Sequence, residues 1–315
     1  MTEDVARSLT TMPEKVAAYV TDTYFLESVE QLSRLGADVE SFALRHGLLF
    51  LKPDAIVARA VEPTLQWLAD NGFRVVSART VAANGHFVRS LWYFQWNIAS
   101  AERRTLADLL LNVSSSLLLV VTDAADELPT SVRLTERKGP TAPSKRQPGH
   151  LRHLLGGGTY LLNMVHTPDD PADVVRELGI YFTEHERRVV IGEALTGIDR
   201  SAVAKHLGQQ LYETVEAGSF ERSDAEAALK KRLRSGEELP QRLQEKARLV
   251  LEGDTVPNAA WAELLTTAWD VDWPLDPWPV LVVGSAVLPM RTATGTQILG
   301  AADPADWRAR MGGQS

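Results

Sequence analysis

LLFLKPDAIVARAVEPTLQWLADNGFRVVSARTV, residues 48–81, passes from one apolar run through a helical pattern into a second apolar run. LLFL at 48–51 is bounded by Gly47 and by Lys52-Pro53-Asp54, which suits a buried strand that stops abruptly. Val57, Val61, Leu65 and Leu68 then recur at helical spacing as far as Asn71-Gly72, where a glycine suits a C-terminal cap. Residues 73–81 are valine-rich and partly alternating, as a strand is.

Outward from this unit the alternation continues. Residues 86–112 read as helical, with Leu106, Leu109 and Leu110 on one face, and SLLLVVT at 116–122 reads as a third strand. A helix begins within 124–136, and 137–159 is a loop punctuated by Gly139, Pro140, Pro143, Pro148 and Gly149. TYLLNMV at 159–165 predicts a fourth strand, and PADVVRELGIYF at 171–182 a helix opened by Pro171. From periodicity alone this order fits a parallel sheet and a ferredoxin-like split βαβ sheet equally well.

Both flanks have a different texture. Residues 1–46 carry Val16, Tyr19 and Val20, then Leu26, Val29, Leu32 and Leu35, a spacing that predicts two helices. Residues 184–251 are charged, rich in alanine and leucine, and helical in period, with breaks near Gly218, Ser235-Gly236 and Pro240. Trp261, Trp269, Trp273 and Trp278 then cluster among prolines, and VLVVGSAVL at 280–288 is strand-sized. The tryptophans read as packed core rather than a ligand cage, and the run Lys230-Lys231-Arg232-Leu-Arg234 as a solvated helix face, because acidic residues flank it. The organisation expected is a helical extension over 1–46, a domain over 47–182 and a mostly helical extension over 183–315.

Composition narrows the chemistry. At 315 residues the chain has room for two ordinary domains, and 44% apolar with 23% charged residues is the usage of a globular protein. A formal charge of -8 argues against a whole-protein field for nucleic acid. The absence of cysteine excludes disulfides, thiolate metal sites and cysteine nucleophiles, and fits a reducing compartment. No apolar run reaches the roughly 18 residues of a membrane span, and the start MTEDVARSLTTMPEK does not read as a signal peptide. A soluble, cytoplasmic protein is expected.

Three elements carry reactive side chains. Lys52 stands at the carboxyl end of a predicted buried strand, where α/β folds place ligands, although a solvated lysine in a turn has the same sequence. Thr141, Lys145, Arg146 and Arg152 lie on a proline-punctuated loop. Planar guanidinium forks there suit phosphate oxygens, whereas the plain alternative is a wetted basic surface. Asn163-Met-Val-His166-Thr-Pro-Asp169 ends the predicted fourth strand. A histidine at such a place attacks as a nucleophile when a carboxylate fixes its tautomer; otherwise it is structural.

Together and in this order, these elements resemble the nucleoside diphosphate kinase family over about residues 47–182. The family's first strand ends in Lys-Pro-Asp, as at 52–54 here. Its phosphate-binding threonine precedes a Pro-Gly by seven residues and an arginine by eleven, the spacing of Thr141, Pro148-Gly149 and Arg152. Its Asn-x-x-His signature matches Asn163 and His166, with the orienting carboxylate eleven residues on at Glu177 and the aromatic pair Tyr181-Phe182 behind it. The resemblance implies a ferredoxin-like βαββαβ fold of the α+β class, joined here to a mostly helical C-terminal region. It also implies ping-pong phosphoryl transfer. His166 takes the γ-phosphate of a nucleoside triphosphate, ATP or GTP, and passes it to a nucleoside diphosphate or another small-molecule acceptor. Mg²⁺ is carried by the nucleotide phosphates, with no protein metal site. Lys52, Thr141, Arg152 and Asn163 would bind phosphate or ribose. Tyr93 would stand near the histidine, with Trp92 one residue away as the alternative. Hexamers or tetramers are usual in the family, although the two extensions are placed to block that assembly. Neither membrane nor nucleic acid is an expected partner.

Departures from the pattern put the substrate in question. The family's second phosphate-binding arginine would fall at Thr135, between Arg133 and Arg137, and Arg137 is the substitute expected. Pro168 replaces a serine whose hydrogen bond to the carboxylate is then lost or moved to Thr167. The aromatic run that clamps the base is replaced by AERRTLADLL at 101–110, and one residue is inserted at Gly156-Gly157-Gly158. An alternative reading follows from these losses: a catalytically degenerate nucleotide-binding module that works through regulation or interaction.

Overall fold

The structure, a computed structural model, describes residues 2–125, 127–235, 238–253 and 255–312. Its centre is a four-stranded sheet of β1 (His46–Leu51), β2 (Phe73–Val81), β3 (Ser116–Asp123) and β4 (Val165–His166), in the order β2-β3-β1-β4. Every pairing is antiparallel, which settles the ambiguity left by periodicity in favour of the ferredoxin-like sheet. All six residues of β1 are buried because both sheet faces are covered. Leu48 and Phe50 point to one face and Leu49 and Leu51 to the other, the two-residue alternation of a strand. The turn into β2 rests on Gly72 (φ 80°), which caps the helix Val61–Asp70 in the left-handed region.

Two expectations need correction and two are sharpened. The fourth strand is two residues long rather than 159–165. Met164 takes a positive φ of 68°, its N–H donates to Asp54 Oδ2 (2.8 Å), and its carbonyl accepts from Lys52 N (2.9 Å), so the chain turns before it can pair. Leu161 and Leu162 pack instead against the C-terminal helices. Residues 86–112 form three helices, Gly85–Leu91, Tyr93–Trp96 and Ala101–Leu111, the last restarted by Ser100, whose hydroxyl accepts from Arg103 N. The N-terminal region holds four helices (Thr2–Leu9, Pro13–Tyr19, Thr23–Arg34, Val39–Arg45), because Asp22 and Asp38 each cap a fresh start. Finally, 280–288 lies mostly in the helix Pro277–Val287. Residues Val280 to Ser285 are all buried, and an apolar run without period is compatible with a helix surrounded by protein.

Beyond Phe182 the described residues are mostly helical, from Glu184–Thr196 to Pro304–Gly312, with an irregular stretch at 288–303. Gly236 of the expected break at 235–236 lies outside the described residues; Gly218 and Pro240 fall between helices. Trp261 is wholly buried among Leu264, Leu243 and Val280, so the tryptophan cluster does build a core.

The flanks are not separate bodies. One apolar cluster joins Leu9, Phe25 and Phe42 of the N-terminal helices to Leu48 and Phe50 of β1 and to Val174, Leu178 and Val190. On the opposite sheet face, Ala204 and Leu211 of helix Ser201–Glu213 pack with Leu49, Val75 and Leu119. Helix Pro171–Tyr181 lies so close to helix Thr23–Arg34 that a Cβ at Gly179 would come within 2.5 Å of the Tyr24 carbonyl oxygen. Among the described residues no helix is long and apolar enough to cross a membrane.

Candidate active site

His166 is the last residue of β4, where its backbone pairs with Phe50 of β1. The next strand end delivers Lys52, fixed as the chain enters helix Pro53–Val57. Helix Pro171–Tyr181, capped at its start by Asp170, presents Glu177 to the histidine ring. Glu177 Oε1 and Oε2 lie 2.9 and 3.1 Å from His166 Nε2, and Trp92 meets the ring edge-on at a centroid distance of 5.3 Å. An ionised Glu177 accepts from Nε2–H, the tautomer in which Nδ1 keeps the ring's lone pair.

Arg152 binds the loop to the strand. Its Nη1 donates to Gly139 O (3.0 Å) and Thr141 Oγ1 (3.1 Å), and its Nη2 donates to Val165 O (2.7 Å), beside the histidine. Lys52 Nζ donates to Leu161 O at 2.7 Å and lies 3.4 Å from Asp54 Oδ2. Asn163 Nδ2 donates to Tyr160 O at 2.8 Å. His166, Thr141, Arg152 and Trp92 line two cavities at once. The first, a cleft of about 170 Å³, also receives Lys52, Asn163 and Arg103; the second, about 190 Å³, receives Lys138, Arg176 and Glu177.

Burial dominates the electrostatics. It pushes the Lys52 ammonium below its ordinary range, against the pull of Asp54. It also lowers Arg152 to about 10, helped by the nearby Arg146 charge, and Lys138 to about 7, helped by Arg152. Burial raises Glu177, and the His166 ring beside it partly restores the carboxylate. Lys52, Lys138 and Arg152 thus bring three buried cations to the two cavities, with Asp54 beside Lys52 and with Asp169, Asp173 and Glu177 lining the second cavity.

Known proteins resemble this chain over its central region. The family model for Nucleoside diphosphate kinase matches residues 45–187. The nucleoside diphosphate kinase of Thermomicrobium roseum is 27% identical over 143 residues, 44% of this chain and 88% of the relative. That of Thermoplasma acidophilum is 27% identical over 146 residues, with the same coverage. This chain carries a nucleoside diphosphate kinase-family domain. Among solved structures, the nucleoside diphosphate kinase of Aquifex aeolicus (18% identity, TM-score 0.38) covers 44% of this chain and 95% of its own. That of Encephalitozoon cuniculi (13% identity, TM-score 0.38) covers 46% and 99%. At the level of the family the domain is a nucleotide phosphotransferase fold within a longer chain.

Within the kinase-family domain, six of the eight residues expected from the sequence meet around the cavities: Lys52, Thr141, Arg152, Asn163, His166 and Glu177. Two do not. Tyr93 is 61% exposed and points away, and Trp92 holds the place against His166. Arg137 is exposed beside Gln147 and His150, and lines neither cavity. Thr167 is wholly buried but does not take over the missing serine's bond to Glu177; it pairs with Lys138 Nζ (2.6 Å) and with the Thr135 hydroxyl.

Sequence reasoning passed over Lys138, Arg103 and Gln297. Lys138 follows Leu134 by four residues and shares its buried helix face, a signal that was available in the sequence. Arg103 sits over the rings of Trp96 and Tyr160, at 4.9 and 5.0 Å, where the family's aromatic run is absent. Gln297 comes from the C-terminal extension and lines both cavities; no local pattern marks it.

Proposed function

We propose that this protein moves the γ-phosphoryl group of a nucleoside triphosphate through a phosphohistidine on His166 to a nucleoside diphosphate or a more specialised acceptor. The observation that carries this reading is the His166–Glu177 pair at 2.9 Å, with the ring at the wall shared by two cation-lined cavities. In the first half-reaction the Nδ1 lone pair attacks the γ-phosphorus. An N–P bond forms, the bond to the β,γ-bridging oxygen breaks, and the nucleoside diphosphate leaves with that electron pair. Nε2 keeps its proton and its hydrogen bond to Glu177, whose negative charge stabilises the ring as it becomes positive. In the second half-reaction a phosphate oxygen of the acceptor attacks the same phosphorus and the N–P pair returns to Nδ1.

Phosphoryl transfer asks the protein chiefly for alignment and charge neutralisation. Lys52 and Arg152 supply positive charge next to the ring, and Thr141 and Asn163 supply neutral donors. Arg103, stacked on Trp96, offers its guanidinium to the nucleotide in place of an aromatic clamp. The cleft's donor set is cationic, hydroxyl and amide, so it fits phosphate oxygens. Mg²⁺ would enter on those phosphates and neutralise them further.

The test is incubation with γ-labelled ATP and Mg²⁺, followed by assay for acid-labile, base-stable label. Wild type acquires it and His166→Ala does not. A protein that binds nucleotide without becoming labelled defeats the reading.

A further inference from the structure

Among the described residues three lysines are buried, and two of them are paired. Lys15 meets Asp170 and Asp173 at 2.9 and 2.8 Å, and Lys52 lies 3.4 Å from Asp54. Lys138, 5% exposed, has no carboxylate within 4.0 Å among the described residues, and its one hydrogen bond goes to Thr167 Oγ1. The bond directions there are forced. Thr135 Oγ1 donates to Pro168 O at 2.8 Å, so Thr167 must donate to Thr135 and accept from Lys138. This chain fixes the ammonium in place and leaves its two other N–H groups without a protein partner. A buried ammonium without a close carboxylate is costly to keep, and this one opens onto the second cavity beside His166, Arg152 and Thr141, where Asp169, Asp173 and Glu177 also lie.

We propose that the second cavity is a phosphate-binding site in which Lys138 holds the oxygens of the phosphoryl group while it resides on His166. That an anion binds here rests on Lys138, whose ammonium has no close carboxylate, and on Arg152, set against Asp169, Asp173 and Glu177 at the same cavity; that its anion is the phosphoryl group rests on the phosphohistidine reading above. The site supplies three fixed donors, the Lys138 ammonium, the Arg152 guanidinium and the Thr141 hydroxyl, at the wall of the cavity that the histidine lines. Opposite charge so placed stabilises a phosphohistidine against loss of its phosphoryl group to water, because the transferred group's charge is met before any acceptor arrives.

The experiment separates the two claims. Inorganic phosphate is titrated calorimetrically into His166→Ala protein and into the same protein carrying Lys138→Met. A parallel pair carrying Lys52→Met removes the first cleft's contribution. Phosphate affinity is expected to fall at least about 10-fold with Lys138→Met in both backgrounds. Equal affinities, or no phosphate binding to the parent, overturn the site. Methionine keeps the length and apolar stem of the lysine, and Lys138→Gln serves as a second variant, with melting curves checking that each folds. In protein retaining His166, Lys138→Met is expected to shorten the phosphohistidine half-life at least about 10-fold, with Lys138→Arg restoring part of it. An unchanged half-life overturns the assignment of the anion. A wild type that binds phosphate through Lys138 yet never labels leaves the anion site standing and defeats the phosphohistidine reading instead.

Discussion

Lys15→Met tests whether the N-terminal helices hold the active-site helix in place. Lys15 is almost fully buried, and its ammonium bonds Asp170 and Asp173 in the cap and first turn of the helix that carries Glu177. Thr10 Oγ1 adds a bond to Asp170 at 2.7 Å, and the Tyr19 hydroxyl bonds Asp173. Burial opposes the lysine's charge, but the two carboxylates outweigh it and hold the ammonium above its ordinary range. Removing one partner of a buried pair costs about 3–5 kcal/mol, because the remaining charge is left without compensation. The lower figure applies here. Burial and the neighbouring Asp173 already raise Asp170 to about 6, so in the variant it can take up a proton and shed part of the penalty. At about 2–4 °C per kcal/mol, a loss of about 3 kcal/mol lowers the melting temperature by about 6–12 °C at pH 8. Lys15 holds Asp170 down, so its loss raises that carboxyl further in the variant, and the destabilisation shrinks as pH falls from 8 towards 6. Lys246→Met, which breaks an exposed pair with Glu263, is the control and should not shift the melt measurably. His166 labelling should slow in Lys15→Met as the helix loosens. A melting temperature within about 2 °C of wild type at pH 8 would refute the reasoning.

Further expectations concern the site itself. Glu177→Gln keeps an acceptor for Nε2–H but removes the charge, and single-turnover labelling should slow by about 10²- to 10⁴-fold; a wild-type rate would show that the carboxylate does not orient the ring. Trp92→Ala should weaken nucleotide binding and labelling, while Tyr93→Ala, at an exposed position, should leave both within about twofold; the reverse pattern in fluorescence titrations would restore Tyr93 to the site. For Lys138 the sign of the pH dependence follows from a folded-state value of about 7 against 10.5 unfolded. Between these values the unfolded chain binds the extra proton, so ligand-free stability should rise as pH increases from about 7 towards 10. Thermal melts across that range should show a smaller rise in Lys138→Met, and an identical slope would contradict the placement.

Elements whose signal is local were readable from the chain. LLFL at 48–51 and the helix up to Gly72 announce themselves, and the spacing of Thr141, Arg152, Asn163, His166 and Glu177 survives intact because backbone turns fix it. Wherever one step along a helix decides the outcome, spacing was insufficient. Arg137 and Lys138 are adjacent, yet about 100° of helix rotation sends one to solvent and the other to the cavity. Trp92 and Tyr93 differ in the same way, at the break between helices Gly85–Leu91 and Tyr93–Trp96. The apolar run at 280–288 has no period to separate a buried helix from a strand, and the choice belongs to its neighbours Leu106 and Leu229. Gln297 reaches the cavities by a contact across some 130 residues of chain, which nothing near it in the sequence reports.

The shared cores have a consequence for how the flanks act. A helix that packs on a sheet from within the same chain behaves as a ligand on a tether, at an effective concentration no free peptide reaches. Phe25 and Phe42 on one face and Ala204 and Leu211 on the other are such ligands, already docked where another polypeptide would otherwise compete. Anything that displaces them must outbid a partner that never diffuses away. The flanks therefore help set how rigidly His166 is held, and Gln297 of the C-terminal flank reaches its cavities as well.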